Sequence, residues 1–252
     1  MTRDETRRAL IVGAGNGIGA ASARRLATAG LTLALADRDF GAVTRLAQEI
    51  GGTAFDVDIA DAGAVHNLFE SVEAQLGHVD VLVNTAAISP MAPDGAQLGI
   101  AATDLDLLQQ VIEVNTLGTL YLGREYAQRA NAGGPGGRVV LLSSAAAQLG
   151  GHKSASVYIA SKGAVLSFTK GLARELAPHG VTVNCVAPGL IDTPMLRGAL
   201  RPYQDATAAR AVPLNRIGQA DEVAAAVAYL VSPDAAYVTG TTLDVNGGYY
   251  MR

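Results

Sequence analysis

Apolar runs of strand length alternate with helix-length segments through nearly all of the chain, and the runs are continuous, not alternating. ALIVGAG begins as a strand and breaks at glycines; GIGAASARRLATAG (17–30) follows with helical composition. LTLALAD (31–37), GGTAFDVD (51–58), HVDVLVNTAA (78–87), GRVVLLSS (137–144), VTVNCVAPG (181–189) and GTTLDVNGG (240–248) read as further strands. Helical segments fall between them at 43–50, 64–77, 104–130, 155–177 and 220–232. A strand with one wet face shows every second residue polar, whereas a strand apolar throughout is buried on both faces. Repeated strand–helix units therefore predict an α/β fold: a doubly wound parallel sheet of about seven strands with helices on both faces. No Pro/Ser linker and no break in composition divides residues 1–252, so a single domain is expected. NAGGPGG (131–137) reads as a turn from helix to strand.

Composition removes several function classes. Apolar residues make up 49% and charged residues 17%, which is a globular and not a disordered balance. The net charge of −4 comes with no acidic or basic block, so neither nucleic acid nor an anionic membrane is an expected partner. MTRDETRR (1–8) is polar, and the ALIV that follows is too short for a signal-peptide core. No stretch reaches the roughly 18 apolar residues of a membrane span. Cys185 is the only cysteine, so no disulfide forms within the chain. The four histidines are scattered without ligand spacing, so no metal site is expected. A cytoplasmic protein is the simplest account.

GAGNGIG (13–19) leaves the first strand and opens the first helix. Backbone N–H groups at a helix start attract phosphate, and glycines let a pyrophosphate approach the main chain. The spacing is G-x-x-x-G-x-G at Gly13, Gly17 and Gly19, not the common dinucleotide G-x-G-x-x-G. A purely structural turn is the alternative on pattern alone. Asp37 ends the second strand, where a carboxylate can accept from ribose hydroxyls and repel a 2′-phosphate. That favours NAD over NADP. Arg38 pulls the other way, since a guanidinium binds phosphate. Asp37 also reads as a solvated strand-end acid. Asp58, with Ile59 beside it, can accept from an adenine amino group or cap the following helix, as can Asp61.

VYIASKG (157–163) sets Tyr158 four residues before Lys162, on one face of a helix. Free phenol, with a pKa of about 10, is a poor base and a weak acid at neutral pH. A nearby ammonium and an oxidised nicotinamide favour the phenolate. A phenol so tuned can take the proton of a secondary alcohol and return it to a ketone. Lys162 can also hold the nicotinamide ribose. A packed aromatic with a solvated amine is the plain alternative. Ser144 ends the fifth strand and can donate to the substrate oxygen; Ser143 beside it is the competing serine. Asn115 sits inside a helical stretch although Asn is a poor helix former. It can widen a turn and hold a water that links to Lys162, or mark a simple irregularity.

Taken in order, these motifs resemble the short-chain dehydrogenase/reductase family of the roughly 250-residue type, from about Ala9 to Gly248. GAGNGIG, Asp37, Asp58-Ile59, VLVNTAA, VNTLGT, LLSS, Tyr158-Ile-Ala-Ser-Lys162, VNCVAPGLIDTPM and NGG fall in the family's sequence. The resemblance implies a single-domain Rossmann-type fold and a tetrad of Asn115, Ser144, Tyr158 and Lys162. It implies cofactor contacts at Gly13, Asn16, Gly17, Ile18, Gly19, Asp37, Arg38, Asp58, Ile59, Asn84, Ala86, Tyr158 and Lys162. Pro188, Ile191 and Thr193 would flank the nicotinamide, its carboxamide and the phosphates. Three positions depart from the family. Val12 stands where Thr is usual, which removes a hydroxyl bond toward the strand-four segment, and Thr85 and Ala87 replace Asn and Gly. Val12 and Thr85 read as a coupled change. The serine-to-tyrosine spacing is one residue longer than is common.

The expected activity is NAD-dependent interconversion of a secondary alcohol, or a polyol or hydroxy compound, and a ketone, with Tyr158 as general acid/base. An NADP-dependent 3-oxoacyl reductase and a non-catalytic NAD-binding redox sensor are the alternatives. Residues 192–216, with Pro194, Pro202 and Pro213, resemble a substrate lid. Met195, Leu196, Leu200 and Tyr203 are candidates for its apolar lining. Gln148, His152 and Lys153 are candidates for contact with a polar substrate. The small and apolar residues of 104–130 and 155–177 imply, by the same resemblance, a homotetramer, with a dimer as alternative.

Overall fold

The computed structural model describes residues 7–90, 98–130, 136–151 and 154–251. Strand β1 (Arg8–Val12) passes through the glycine loop into α1 (Gly17–Thr28), followed by β2 (Thr32–Asp37), α2 (Phe40–Ile50), β3 (Thr53–Asp56), α3 (Ala62–Leu76) and β4 (Val81–Asn84). The second half runs α4 (Leu105–Ile112), a π-helical turn (Glu113–Leu117), α5 (Gly118–Ala130), β5 (Arg138–Leu142), α6 (Ala145–Leu149), α7 (Ser156–Leu176) and β6 (Thr182–Pro188). It closes with β7 (Ile191–Asp192), α8 (Pro194–Ala199), α9 (Asp205–Ala209), β8 (Gly218–Gln219), α10 (Ala220–Val231) and β9 (Thr242–Val245).

Seven strands pair in the order β3-β2-β1-β4-β5-β6-β9, and every pairing in this sheet is parallel. The period of two assigns neighbouring residues to opposite cores. Leu10, Val12, Leu82, Val139, Leu141, Val183 and Cys185 face one layer, built on α3, α5 and α7. Ala9, Ile11, Val81, Val83, Val140, Leu142 and Val186 face the other, built on α1, α2 and α10. Both faces are dry, which is why the strands read as unbroken apolar runs. Burial of a side chain such as Phe69 or Leu141 contributes about 1.5–3 kcal/mol.

Polar groups fix the ends of the elements. Asp39 caps α2 by accepting from Ala42 N, and Asp61 caps α3 by accepting from Gly63 N and Ala64 N. Between α3 and α5 the side chain of Glu125, only 4% exposed, pairs with Arg129 at 2.7 Å and His66 at 3.0 Å. Arg124 lies at 2.8 Å from the same carboxylate.

The stretch 104–130, expected as one helix, is broken. The π turn falls on Asn115, whose amide is drawn out of the helix to the backbone of Ile88. The segment 192–216 contains the short helices α8 and α9, which sequence reading left undivided. Arg197 ties this segment together through Asp192 at 2.7 Å and Asp205 at 2.6 Å. Its base is the two-residue ribbon of β7 and β8, separate from the main sheet.

Candidate active site

The strand order reverses between β1 and β4, and a crevice opens beyond their carboxyl ends, as such a switch point requires. The cleft holds about 240 Å³ and is walled by the glycine loop, the end of β2, Val57 to Ile59, Thr85 to Ile88, Val114, Thr193 and Met195. Of the residues expected to hold cofactor, Gly13, Asn16, Gly17, Ile18, Gly19, Asp37, Arg38, Asp58, Ile59, Ala86 and Thr193 line it.

The loop is shaped by close approach. Gly13 has φ +80°, and a Cβ there would sit 2.5 Å from Ala86 N. A Cβ on Gly19 would fall 2.0 Å from the Gly13 carbonyl oxygen, so α1 can start this near the strand end only with glycine. Gly13 N and Ala14 N donate to Ala36 O at 2.9 and 3.2 Å. Asp37 accepts from Gly15 N at 2.8 Å through one carboxylate oxygen and from Asp39 N at 2.9 Å through the other. Asn16, at the N-cap of α1, makes no side-chain capping bond, so the first N–H groups of the helix keep their positive end for an anion. A loop with no room for side chains, an uncapped helix start and an acid at the end of β2 fit a dinucleotide. These residues would hold its pyrophosphate and its adenosine ribose.

Five of the expected cofactor residues stand outside this cleft: Tyr158 and Lys162, which belong to the tetrad, and Asn84, Pro188 and Ile191. Asn84 is buried; it donates to Thr119 Oγ1 at 3.0 Å and accepts from Ala86 N at 3.1 Å, so it shapes the turn after β4 from within. Pro188 ends β6 in the interior. Ile191 lines a second cavity of about 200 Å³ instead, with Val212, Leu214 and Asn246. Asp58 accepts from Ala60 N at 2.9 Å while lining the cleft; the helix cap is Asp61.

The tetrad residues gather at the carboxyl end of β5. Ser144 caps α6, accepting from Ala146 N at 3.1 Å, and its hydroxyl is the polar side-chain neighbour that favours the phenolate of Tyr158. Ser143 points elsewhere: its hydroxyl donates to the Lys162 carbonyl at 2.8 Å, which separates the two serines by role. Tyr158 is 8% exposed and shares an apolar cluster with Val111, Ala155 and Val157, against which Ile88 packs. Ile88 also lines the dinucleotide cleft, so the phenol and the cleft share a wall. Asn115 donates to Ile88 O at 2.8 Å and Ser161 Oγ at 3.0 Å, and accepts from Ile88 N at 2.8 Å. Ser161 in turn donates to the Tyr158 carbonyl at 2.8 Å. The side chain of Asn115 thus braces the phenol's helix against the cleft wall.

Burial dominates the electrostatics of both Tyr158 and Lys162. It pushes the Tyr158 phenol above its ordinary value, and the neighbouring Ser144 hydroxyl opposes this without cancelling it. Lys162 does not act on the phenol in this structure; its ammonium donates to Leu142 O at 2.8 Å, beneath the strand end. Burial lowers Lys162 to about 8, with Cys185 opposing. With the Lys162 amine on the Leu142 carbonyl, burial is the dominant influence on the phenol.

Sequence reading does not reach Gly15, which holds Asp37, or Val57 and Val114, which line the cleft. Thr85 and Ala87 are notable in sequence as departures; Thr85 holds the glycine loop through bonds to Val12 O and Gly13 O, and Ala87 lines the cleft. The second glycine of GAGNGIG was the available signal for Gly15. Gln148 does not stand free but donates to Asp244 Oδ1 at 2.6 Å. Met195 lines the cleft, Leu200 is buried and Tyr203 is 83% exposed, so those lid residues do not form one pocket wall. His152 and Lys153 lie outside the described residues. Among the described residues no cluster of His, Cys, Asp or Glu forms a metal site, and no helix is long and apolar enough to cross a membrane.

Comparison with known proteins agrees with this geometry. A family model described as enoyl-(acyl carrier protein) reductase matches residues 13–250. Nodulation protein G of Rhizobium meliloti is 39% identical, with 97% of each chain covered. The 3-oxoacyl-[acyl-carrier-protein] reductase FabG of Escherichia coli is 36% identical over 96% of this chain and 97% of that one. The crystal structure of a 3-ketoacyl-(acyl-carrier-protein) reductase from Brucella melitensis complexed with NADH superposes with a TM-score of 0.87 at 31% identity, covering 97% of this chain and 98% of that one. With a parallel seven-stranded sheet, a glycine cradle and near-complete coverage, the chain belongs to the short-chain dehydrogenase/reductase family, as an NAD(P)-dependent oxidoreductase acting on CH–OH groups.

Proposed function

We propose that the protein interconverts a secondary alcohol and a ketone with NAD as its cofactor and Tyr158 as the general acid/base. The observation that carries this reading is the buried Tyr158 phenol, with Ser144 as its polar neighbour at the end of β5, sharing the Ile88 wall with a cleft suited to a dinucleotide. When bound, the nicotinamide supplies or accepts hydride. In the reductive direction the neutral phenol already carries the proton that the substrate oxygen needs, and Ser144 can hold that oxygen as charge gathers on it. Lys162, lowered to about 8, keeps most of its charge at neutral pH and sits one turn along the same helix. Asp37 supports NAD, because a carboxylate fixed at both oxygens leaves no place for a 2′-phosphate.

Arg38, exposed at the rim of the same cleft, favours a second reading, an NADP-dependent 3-oxoacyl reductase; the Escherichia coli relative is a 3-oxoacyl-[acyl-carrier-protein] reductase. One assay decides. Secondary alcohols, polyols, simple ketones and acetoacetyl-CoA are offered with NADH and NADPH in parallel. Turnover of the alcohol–ketone panel with NAD(H) supports the first reading; turnover confined to acetoacetyl-CoA with NADPH supports the second. Tight NADH binding without turnover of any substrate would point to a redox sensor.

The assembly we propose is a homotetramer, with a dimer as the alternative, in the cytoplasm. This assembly rests on the family resemblance, in which helices such as those at 104–130 and 155–177, rich in small and apolar residues, pair between subunits. Light scattering at micromolar concentration checks it, and a monomeric mass rejects it.

A further inference from the structure

We infer that Thr85 is a positioning residue for the glycine loop, and that its hydroxyl sets the affinity for the dinucleotide. The inference rests on the dinucleotide reading of the cleft. Thr85 follows β4, directly across from the strand end that launches the loop; Val12 is paired with Asn84 in the β1–β4 register. Its backbone N–H donates to Val12 O at 2.9 Å. Its hydroxyl stands 2.9 Å from Val12 O and 3.0 Å from Gly13 O, donating into the space between the two carbonyls. The same oxygen lies where the loop has no side chains: 2.7 Å from the position of a Cβ on Gly13 and 2.6 Å from one on Gly19. One atom therefore bonds the end of β1 and the first glycine of the loop, and occupies the space a side chain on Gly13 or Gly19 would need.

The other fastenings of the loop come from the opposite side. Ala36 O takes the N–H groups of Gly13 and Ala14, and Asp37 takes that of Gly15. These hold the N–H groups at the start of the loop but not its carbonyls. Thr85 supplies the donor for the Gly13 carbonyl, and with it the orientation of the Gly13 peptide. Val12 cannot contribute a hydroxyl, so the bond joining the β1 and β4 ends originates on β4. Replacing this hydroxyl with a methyl group leaves two carbonyls without that donor and presses a carbon into a notch sized for oxygen. The loop then has freedom to tilt, and the helix start loses its set distance from the pyrophosphate.

The test compares Thr85→Val, Thr85→Ala and Thr85→Ser with the unaltered protein by calorimetric titration with NADH and with ADP-ribose. The chain has no tryptophan, so the emission of NADH itself gives a second titration free of that background. Thr85→Val is expected to weaken both ligands about tenfold, which is about 1.4 kcal/mol. Thr85→Ser, which keeps the hydroxyl, is expected to stay within about twofold, and KM for NADH should rise in Thr85→Val while kcat is kept. Thr85→Ala reports the same loss without the added branch should Thr85→Val not fold. Affinities of Thr85→Val or Thr85→Ala within twofold of the unaltered protein overturn the inference, even where the melting temperature falls. So does a loss in Thr85→Ser as large as in Thr85→Val. Failure of the unaltered protein to bind NADH overturns the dinucleotide reading instead.

Discussion

Asp37→Asn isolates what one carboxylate does for cofactor choice. The change is nearly isosteric, so packing is kept. It removes a charge and replaces one acceptor oxygen by an NH2 group. Gly15 N and Asp39 N each donate to a different oxygen of Asp37, at 2.8 and 2.9 Å. Asn can satisfy one of them and must face the other with a donor. Loss of a bond to a charged acceptor costs about 1.5–3 kcal/mol, and the lower half of that range applies because Asp37 is partly open to water. NADH affinity should therefore fall roughly 10–30-fold. NADPH should not lose in proportion, because a 2′-phosphate no longer meets a like charge. The ratio of the two dissociation constants should shift toward NADPH by at least about tenfold. Titration of both cofactors against both proteins measures it. An unchanged ratio, or an unaltered protein that already prefers NADPH, refutes the reasoning.

Two further outcomes follow from buried ionised groups. Glu125→Gln breaks a buried pairing with Arg129, which retains Glu70 and Glu73, so a loss of roughly 3 kcal/mol is expected, or a fall in melting temperature of about 6–12 °C. Burial pushes Glu125 up, but its bonds to His66 and Arg129 outweigh this and hold it below its ordinary 4.5. Its contribution is therefore present above that value and lost as pH falls through the depressed one, so the gap between the two proteins should close in acid melts. Lys162, lowered from 10.5 to about 8, binds fewer protons folded than unfolded between those values. Stability from this group should rise with pH across that window, and Lys162→Met should remove the rise in calorimetric melts.

The fold was legible because burial of a strand on both faces leaves an unambiguous pattern. Leu10 and Ile11 are adjacent in sequence and fully buried in different cores. The loop was legible for a similar reason: Gly13 and Gly19 meet backbone, and no other residue type fits. What sequence reading misplaced depends on partners distant in the chain. Asn84 reads as a cofactor contact, yet Thr119 takes up its amide. Asn115 reads as a residue that widens a turn, and the π-helical turn falls on it, with Ile88 as the partner that sequence could not name. The four-residue spacing placed Tyr158 and Lys162 on one helix but could not place the amine, which Leu142 O holds on another element. The coupled reading of Val12 and Thr85 was accessible from sequence as a pair of departures. What Thr85 touches, the carbonyls of Val12 and Gly13, appears only in the structure.

Single-turnover reduction by Tyr158→Phe with prebound NADH tests the catalytic proposal at its root. Phenylalanine keeps the ring in its apolar cluster and deletes the oxygen that meets Ser144. The expected result is a rate lower by at least about 10²-fold, the scale of general acid/base catalysis, with NADH binding unchanged. Undiminished reduction by this variant contradicts the account, since the proton would then come from elsewhere.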